Sequence, residues 1–182
     1  MSAARFAALG MVARWKPVHR GHAAVLRGLV AAAPRVVLGI GSSNRYDARN
    51  PFTADETRAM VRLVIGDPPG VSIHDVPDLG DGPRWRALLA EMFGPLDAFV
   101  TDNPYVASLM RERYVVLRPV DFVAPEERVA IDGTRVRVAM ARGGDWRPLV
   151  PPAVAEYILA SGLDARFRRE FGLETLAADA PA

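Results

Sequence analysis

Cysteine is absent from the 182 residues, which excludes disulfides and thiolate metal sites and fits a reducing compartment. Lysine is nearly absent as well: Lys16 is the only one, and the remaining strong bases are all arginine. Long apolar runs are lacking, since no stretch approaches the roughly 20 residues that cross a bilayer. The N-terminal segment has no extended apolar core followed by a cleavage pattern, because Arg14 interrupts it early. A soluble cytoplasmic protein is the expectation. Excess charge is missing too, with 23 basic against 21 acidic residues and a net of +2, so neither nucleic acid nor membrane is expected as a partner. Repeats, low-complexity segments and linkers are not found. What the chain does have is 50% apolar residues, enough to fill the core of one domain of this length.

Apolar runs at 6–12, 35–41, 71–76, 96–101 and 114–118 read as strands. Between them lie helical patterns. The first is 23–30, with His22 opening the helix. Another runs from a Thr53–Glu56 capping box to Gly66, a third covers 84–93, and a fourth begins at Asn103-Pro104. Further helices are expected at 135–142, 152–161 and 164–171, with Arg166, Arg168 and Arg169 on a solvated face and residues 177–182 frayed. Alternation of this kind predicts an α/β, Rossmann-like fold: a parallel sheet of five or six strands, helices on both faces, and a small C-terminal helical extension. The expected organisation is a single domain over 1–182, with its core at about 6–142 and its C-terminal helices at about 151–172. Ligands of such sheets bind beyond the carboxyl ends of the strands, where the strand order reverses. The polar turns after strands one to four all fall on that edge.

The densest of these turns is Arg14-Trp15-Lys16-Pro17-Val18-His19-Arg20-Gly21-His22. A strand, a turn and a helix start leave unpaired backbone N–H groups that attract phosphate, and His19 and His22 could each donate to one phosphate oxygen. His-x-x-His alone also fits a surface turn or half a zinc site. With no cysteine and only His74 besides, a metal site would need carboxylates, and no metal-ligating set is assigned. His74 itself reads as structural or solvated. The nonapeptide resembles the first signature of the HxGH nucleotidyltransferase superfamily, Arg-Phe-x-Pro-x-His-x-Gly-His in nicotinamide-mononucleotide adenylyltransferases. Arg14, Pro17, His19, Gly21 and His22 match it, while Trp15 replaces Phe and Lys16 the common Gln.

Ile131-Asp132-Gly133-Thr134-Arg135-Val136-Arg137 resembles the second signature, Ile-Ser-x-Thr-x-x-Arg, which holds ATP β- and γ-phosphates at a helix start. Thr134 and Arg137 match, one helical turn apart, so that hydroxyl and guanidinium reach the same polyphosphate. Asp132 departs from the family Ser. A carboxylate beside triphosphate is repelled by roughly 1 kcal/mol at 4 Å even in water, so Asp132 either points away or faces a hydrated Mg²⁺. Gly39-Ile40-Gly41-Ser42, Asn50-Pro51-Phe52-Thr53-Ala54, Pro77-Asp78 with Trp85, Thr101-Asp102-Asn103-Pro104, Arg128 and Trp146-Arg147-Pro148 extend the resemblance over about residues 9–160, toward the archaeal type of the nicotinamide-nucleotide family.

The resemblance implies transfer of AMP from ATP to nicotinamide mononucleotide, giving NAD and pyrophosphate, with Mg²⁺ riding on phosphates and water. It implies that His19 and His22 donate to α-phosphate oxygens, and that Arg14, Lys16, Thr134 and Arg137 neutralise the leaving pyrophosphate, with Arg128 and Asp132 completing the ATP side. Ser42, Asn44, Asp78, Trp85 and Asn103 would shape the acceptor side. Trp85 also has core spacing with Leu88, Leu89 and Met92, so periodicity alone leaves a core indole and a ligand platform equally open. Two other readings stand beside this one. The first is a same-fold enzyme for nicotinate mononucleotide, phosphopantetheine or CTP chemistry, and the second is a nucleotide-binding regulator without turnover. Relatives of this kind are often homo-oligomers.

Overall fold

The five apolar runs become five strands in the computed structural model, which describes residues 5–180. They are β1 Ala8–Ala13, β2 Arg35–Gly41, β3 Val71–Val76, β4 Ala98–Val100 and β5 Val116–Leu117. They form one sheet in the order β3-β2-β1-β4-β5, and every neighbouring pair is parallel. The sheet therefore has five strands, without a sixth among the described residues. The last strand is shorter than its apolar run because only Phe99↔Val116 and Val100↔Leu117 are in register. Tyr114 instead turns inward, its hydroxyl donating to the Gly94 carbonyl at 2.8 Å. Chain winding reverses at β1, which has β2 on one side and β4 on the other, so a crevice opens beyond their carboxyl ends.

Side-chain alternation assigns the two faces. Leu9, Met11, Val36, Leu38 and Ile40 join one buried cluster with α1 Arg20–Ala32, α2 Ala54–Ile65, α5 Gly133–Ala141, α6 Pro152–Ala160 and α7 Leu163–Asp179. Val37, Val76 and Phe99 face α3 Gly82–Phe93 and α4 Pro104–Met110 on the other side. On that second face Gly10 and Gly39 leave room for the Phe93 ring. A Cβ at Gly10 would lie 2.9 Å from Phe93 Cδ2, and one at Gly39 would lie 3.2 Å from Phe93 Cζ.

Local chemistry sets the helix ends. Thr53 Oγ1 accepts from Glu56 N–H at 3.2 Å while Glu56 Oε2 accepts from Thr53 N–H at 2.9 Å, and α2 ends at Gly66 with φ +71°. Asn103 caps α4, with Pro104 at its first position. Two starts differ from the apolar pattern. Helix α1 begins at Arg20, so His22 lies inside the first turn rather than opening the helix, and α5 begins at Gly133 rather than Arg135. In both cases a polar side chain caps the turn ahead of the first apolar residue, where periodicity is blind.

The C-terminal helices pack on the same cluster as the sheet through Val154, Ala155, Ile158, Leu163 and Phe167. Helix α7 runs to Asp179 rather than ending near Phe171, packed on α5 and tied by Arg142 Nη2 donating to Asp179 Oδ2 at 2.9 Å. Residues 177–179 are therefore helical and not frayed, and 181–182 lie outside the described residues. Arg166 is not on a solvated face either: it grips Glu56 at 2.6 and 2.7 Å and the Pro51 carbonyl at 3.1 Å. Arg168 pairs with Asp164, and Arg169 with Glu170. His74, on edge strand β3, lies beside Phe93 with ring centroids 6.2 Å apart, a packing position. Among the described residues no helix is long and apolar enough to cross a membrane.

Candidate active site

Past Ala13 the chain turns sharply, and Trp15 adopts φ +55°, a left-handed conformation that costs an L residue about 1–2 kcal/mol. Two anchors offset that cost. The indole is fully buried, and its Nε1 donates to the Gly39 carbonyl at 2.9 Å, a bond that a phenylalanine at this position could not make.

His19 is the N-cap of α1, its Nδ1 accepting from His22 N–H at 3.2 Å. An imidazole nitrogen that accepts must be unprotonated, so the ring proton sits on Nε2. The His19 and His22 rings stack with centroids 3.6 Å apart and 21° between planes, and the indole of Trp15 meets His22 edge-on at 4.8 Å. Desolvation lowers the His19 pKa to about 4, opposed by the Asp132 charge and reinforced by Arg137. Burial also pushes His22 well below the usual value, with His19 adding to the shift and the Pro17 carbonyl resisting it. Both rings are therefore neutral at pH 7, and each is a one-proton hydrogen-bond donor. His22 Nδ1 is buried with no hydrogen-bond partner among the described residues. Gly21 keeps this corner narrow: a Cβ there would sit 3.1 Å from the His19 ring and 3.4 Å from the Ile131 carbonyl.

That carbonyl belongs to the second motif, which arrives from the opposite side. Asp132 caps α5, its Oδ1 accepting from Arg135 N–H at 2.8 Å. Serine and aspartate are both strong N-caps, so the replacement preserves the turn. Asp132 is thus neither turned wholly away nor free to give both oxygens to an ion. Arg137, 8% exposed, donates from Nη1 to the Lys16 carbonyl at 3.0 Å and from Nη2 to Thr134 Oγ1 at 3.2 Å. Desolvation, then the Arg14 charge, lowers its pKa to about 10, which leaves it cationic. The N-termini of α1 and α5 thus face one cavity of about 710 Å³ that Arg14, His19, His22, Thr134 and Arg137 line. Two helix ends and a buried guanidinium make that end attractive to polyphosphate. Arg128 lines it too, with Nε 3.4 Å from the Val123 carbonyl.

The other end of the same cavity is walled by Ser42, Asp78, Trp85 and Asn103. Ser42 Oγ donates to Asp78 Oδ1 at 3.1 Å. Trp85 is half-buried, and it packs on the second core cluster while also lining the cavity. Asn103 Oδ1 is occupied by the Tyr105 and Val106 N–H groups it caps.

Two expected site residues are placed differently. Asn44 does not line the cavity. It locks the loop after β2 to the loop after β3, Nδ2 donating to the Asp78 carbonyl at 3.0 Å and Oδ1 accepting from Asp78 N–H at 2.8 Å. Lys16 lines the cavity but is 2% exposed, and its Nζ donates to the Ser42 carbonyl at 2.9 Å. Burial lowers its pKa, an effect that Asp47 and Asp78 oppose. Lining residues that lie in none of the motifs include the apolar Val120 and Val123, with Glu127. They come from the segment after β5, whose return over the cavity no local pattern announces. Among the described residues no three His, Cys, Asp or Glu side chains converge on a point, while single carboxylates from Asp78, Asp102, Glu127 and Asp132 reach the cavity.

The Cytidylyltransferase-like family matches residues 12–78, from the end of β1 to the loop after β3. The chain is 31% identical over 150 residues to a nicotinamide-nucleotide adenylyltransferase of Methanolobus tindarius, covering 81% of this chain and 84% of that one. It is 35% identical over 163 residues to a protein of the same name from Ignicoccus hospitalis, covering 85% and 92%. Among solved structures, a bifunctional NMN adenylyltransferase/ADP ribose pyrophosphatase from Francisella tularensis superposes with a TM-score of 0.73 at 16% identity. The match covers 97% of this chain but 58% of that one, and it is a likeness of fold alone.

Proposed function

The chain belongs to the nicotinamide-nucleotide adenylyltransferase family, and from that premise we propose that it joins ATP and nicotinamide mononucleotide into NAD and pyrophosphate, in the cytoplasm. One observation carries the reading. A single cavity has the starts of α1 and α5 with His19, Thr134 and Arg137 at one end, and Ser42, Asp78 and Trp85 at the other.

In this reaction a phosphate oxygen of the mononucleotide attacks the α-phosphorus of ATP in line. The bond from that phosphorus to the oxygen bridging it to the β-phosphate breaks, and pyrophosphate leaves with the electron pair. No covalent enzyme intermediate is required, so the chain's task is positioning and charge stabilisation. His19, its proton fixed on Nε2 by the cap at Nδ1, donates to an α-phosphate oxygen, with His22 stacked against it. Thr134, the Arg137 guanidinium, Arg14 and the start of α5 face the β- and γ-phosphates, with Arg128 at the same end. On the acceptor side the Asp78 carboxylate favours the cationic nicotinamide ring, and the Trp85 indole offers it a face.

Mg²⁺ when bound neutralises phosphate charge. It keeps most of its water and demands no dedicated cage, which suits scattered single carboxylates. The Asp132 oxygen not used in capping is the group that would meet its water shell.

The test is pyrophosphate release from the purified chain with ATP or CTP, against nicotinamide mononucleotide, nicotinate mononucleotide and phosphopantetheine. ATP with nicotinamide mononucleotide should be fastest, because Asp78 repels the extra carboxylate of nicotinate. A faster alternative pair, or binding without release, overturns the assignment.

A further inference from the structure

The two ends of the cavity are joined along one wall by a single residue. Lys16 is held at both of its polar ends: its backbone carbonyl accepts from Arg137 Nη1 at 3.0 Å, and its ammonium donates to the Ser42 carbonyl at 2.9 Å. That carbonyl also accepts from Arg45 N–H at 3.1 Å, closing the turn after β2. Ser42 itself sits at φ +52°, a region in which an L residue persists only when its surroundings hold it there. Its hydroxyl then donates to Asp78 Oδ1. A hydrogen-bonded path therefore runs from Thr134 and Arg137 through Lys16 to Ser42 and Asp78.

We infer that Lys16 is a positioning residue for the acceptor end, holding the strained Ser42 turn and through it Asp78, rather than a cation that neutralises the leaving pyrophosphate. Burial supports this assignment. The residue is 2% exposed, a setting in which a charge-assisted hydrogen bond from the ammonium to a carbonyl is strong, and a swing toward another partner would leave that carbonyl with the Arg45 N–H alone. The naming of the acceptor rests on the reaction proposed above, whereas the holding of the turn does not.

Two variants separate hydrogen bond from charge. Lys16→Gln keeps an N–H donor on a side chain one bond shorter and removes the charge, whereas Lys16→Met fills similar space with neither. Both are compared with the parent chain by calorimetric binding of nicotinamide mononucleotide, by KM for ATP, and by hydrogen exchange of residues 42–48 in the ligand-free protein. Lys16→Met should weaken acceptor binding about tenfold, the loss of one charge-assisted hydrogen bond, and leave KM for ATP within about twofold. It should also speed exchange of the Arg45 amide, while Lys16→Gln restores most of both effects. If Gln and Met behave alike and both raise KM for ATP, Lys16 acts through its charge on the phosphates and the inference falls. Unchanged exchange at 42–48 in Lys16→Met overturns it as well. Should the parent chain not bind the mononucleotide, the functional reading fails, and the exchange result still decides the role of Lys16.

Discussion

At the scale of single residues, His19 has two nitrogens with separate uses: Nδ1 caps α1, and in the proposed reaction Nε2–H donates to the substrate. The two are separable, because asparagine is a strong N-cap without an imidazole donor. His19→Asn should lower kcat by about a hundredfold, as for one lost oxyanion donor, with the melting temperature retained. His19→Ala should show the same loss in kcat and additionally destabilise by about 1 kcal/mol. Equal kcat in the parent and both variants would remove His19 from the chemistry. Trp85 likewise touches both core and cavity. Trp85→Leu keeps apolar bulk on the core side but loses the aromatic face, so KM for nicotinamide mononucleotide should rise by a factor worth about 1–2 kcal/mol. Stability should fall by less than the roughly 3–5 kcal/mol of a truncated core tryptophan. A KM that does not move would make Trp85 a packing residue only.

At the scale of elements, α5 is a nine-residue helix whose start must be fixed for Thr134 and Arg137 to meet phosphate in the proposed reaction. Its cap is Asp132. Replacing the cap by serine conserves an acceptor, so Asp132→Ser should leave stability within about 0.5 kcal/mol, whereas Asp132→Ala should cost about 1 kcal/mol. Asp132→Ser should also raise the Mg²⁺ concentration needed for half activity, since the second carboxylate oxygen disappears. Chemical denaturation and a Mg²⁺ titration read the two effects apart, and an unchanged Mg²⁺ requirement would place that oxygen outside the ion's water shell.

At the scale of the whole molecule, α7 is fastened to α2 by Arg166 and Glu56, whose side chains are 24% and 18% exposed. The same Glu56 closes the capping box of α2, so one carboxylate serves helix start and helix packing together. Partial burial puts this pair above exposed ion pairs and below fully buried ones. Arg166→Met should destabilise the chain by about 1–3 kcal/mol, and a cycle with Glu56→Gln should show coupling of about 1 kcal/mol or more. Additive effects would mean that the two side chains contribute independently.

The sequence by itself determined the parts whose causes lie within a few residues. Alternation in β1 and β2, the Thr53–Glu56 box and the Asn103-Pro104 start rest on groups up to four positions apart, the two helix-start motifs on stretches of nine and seven residues, and all were legible. Tertiary structure decided where long or polar side chains spend their hydrogen bonds. Lys16 and Ser42 are 26 positions apart, Asn44 and Asp78 are 34, and Arg166 and Glu56 are 110. A buried donor must find an acceptor, and which acceptor is near depends on strand order and loop closure, so the resemblance that presented Lys16 and Asn44 as ligand-facing could not show that the fold had already given them partners.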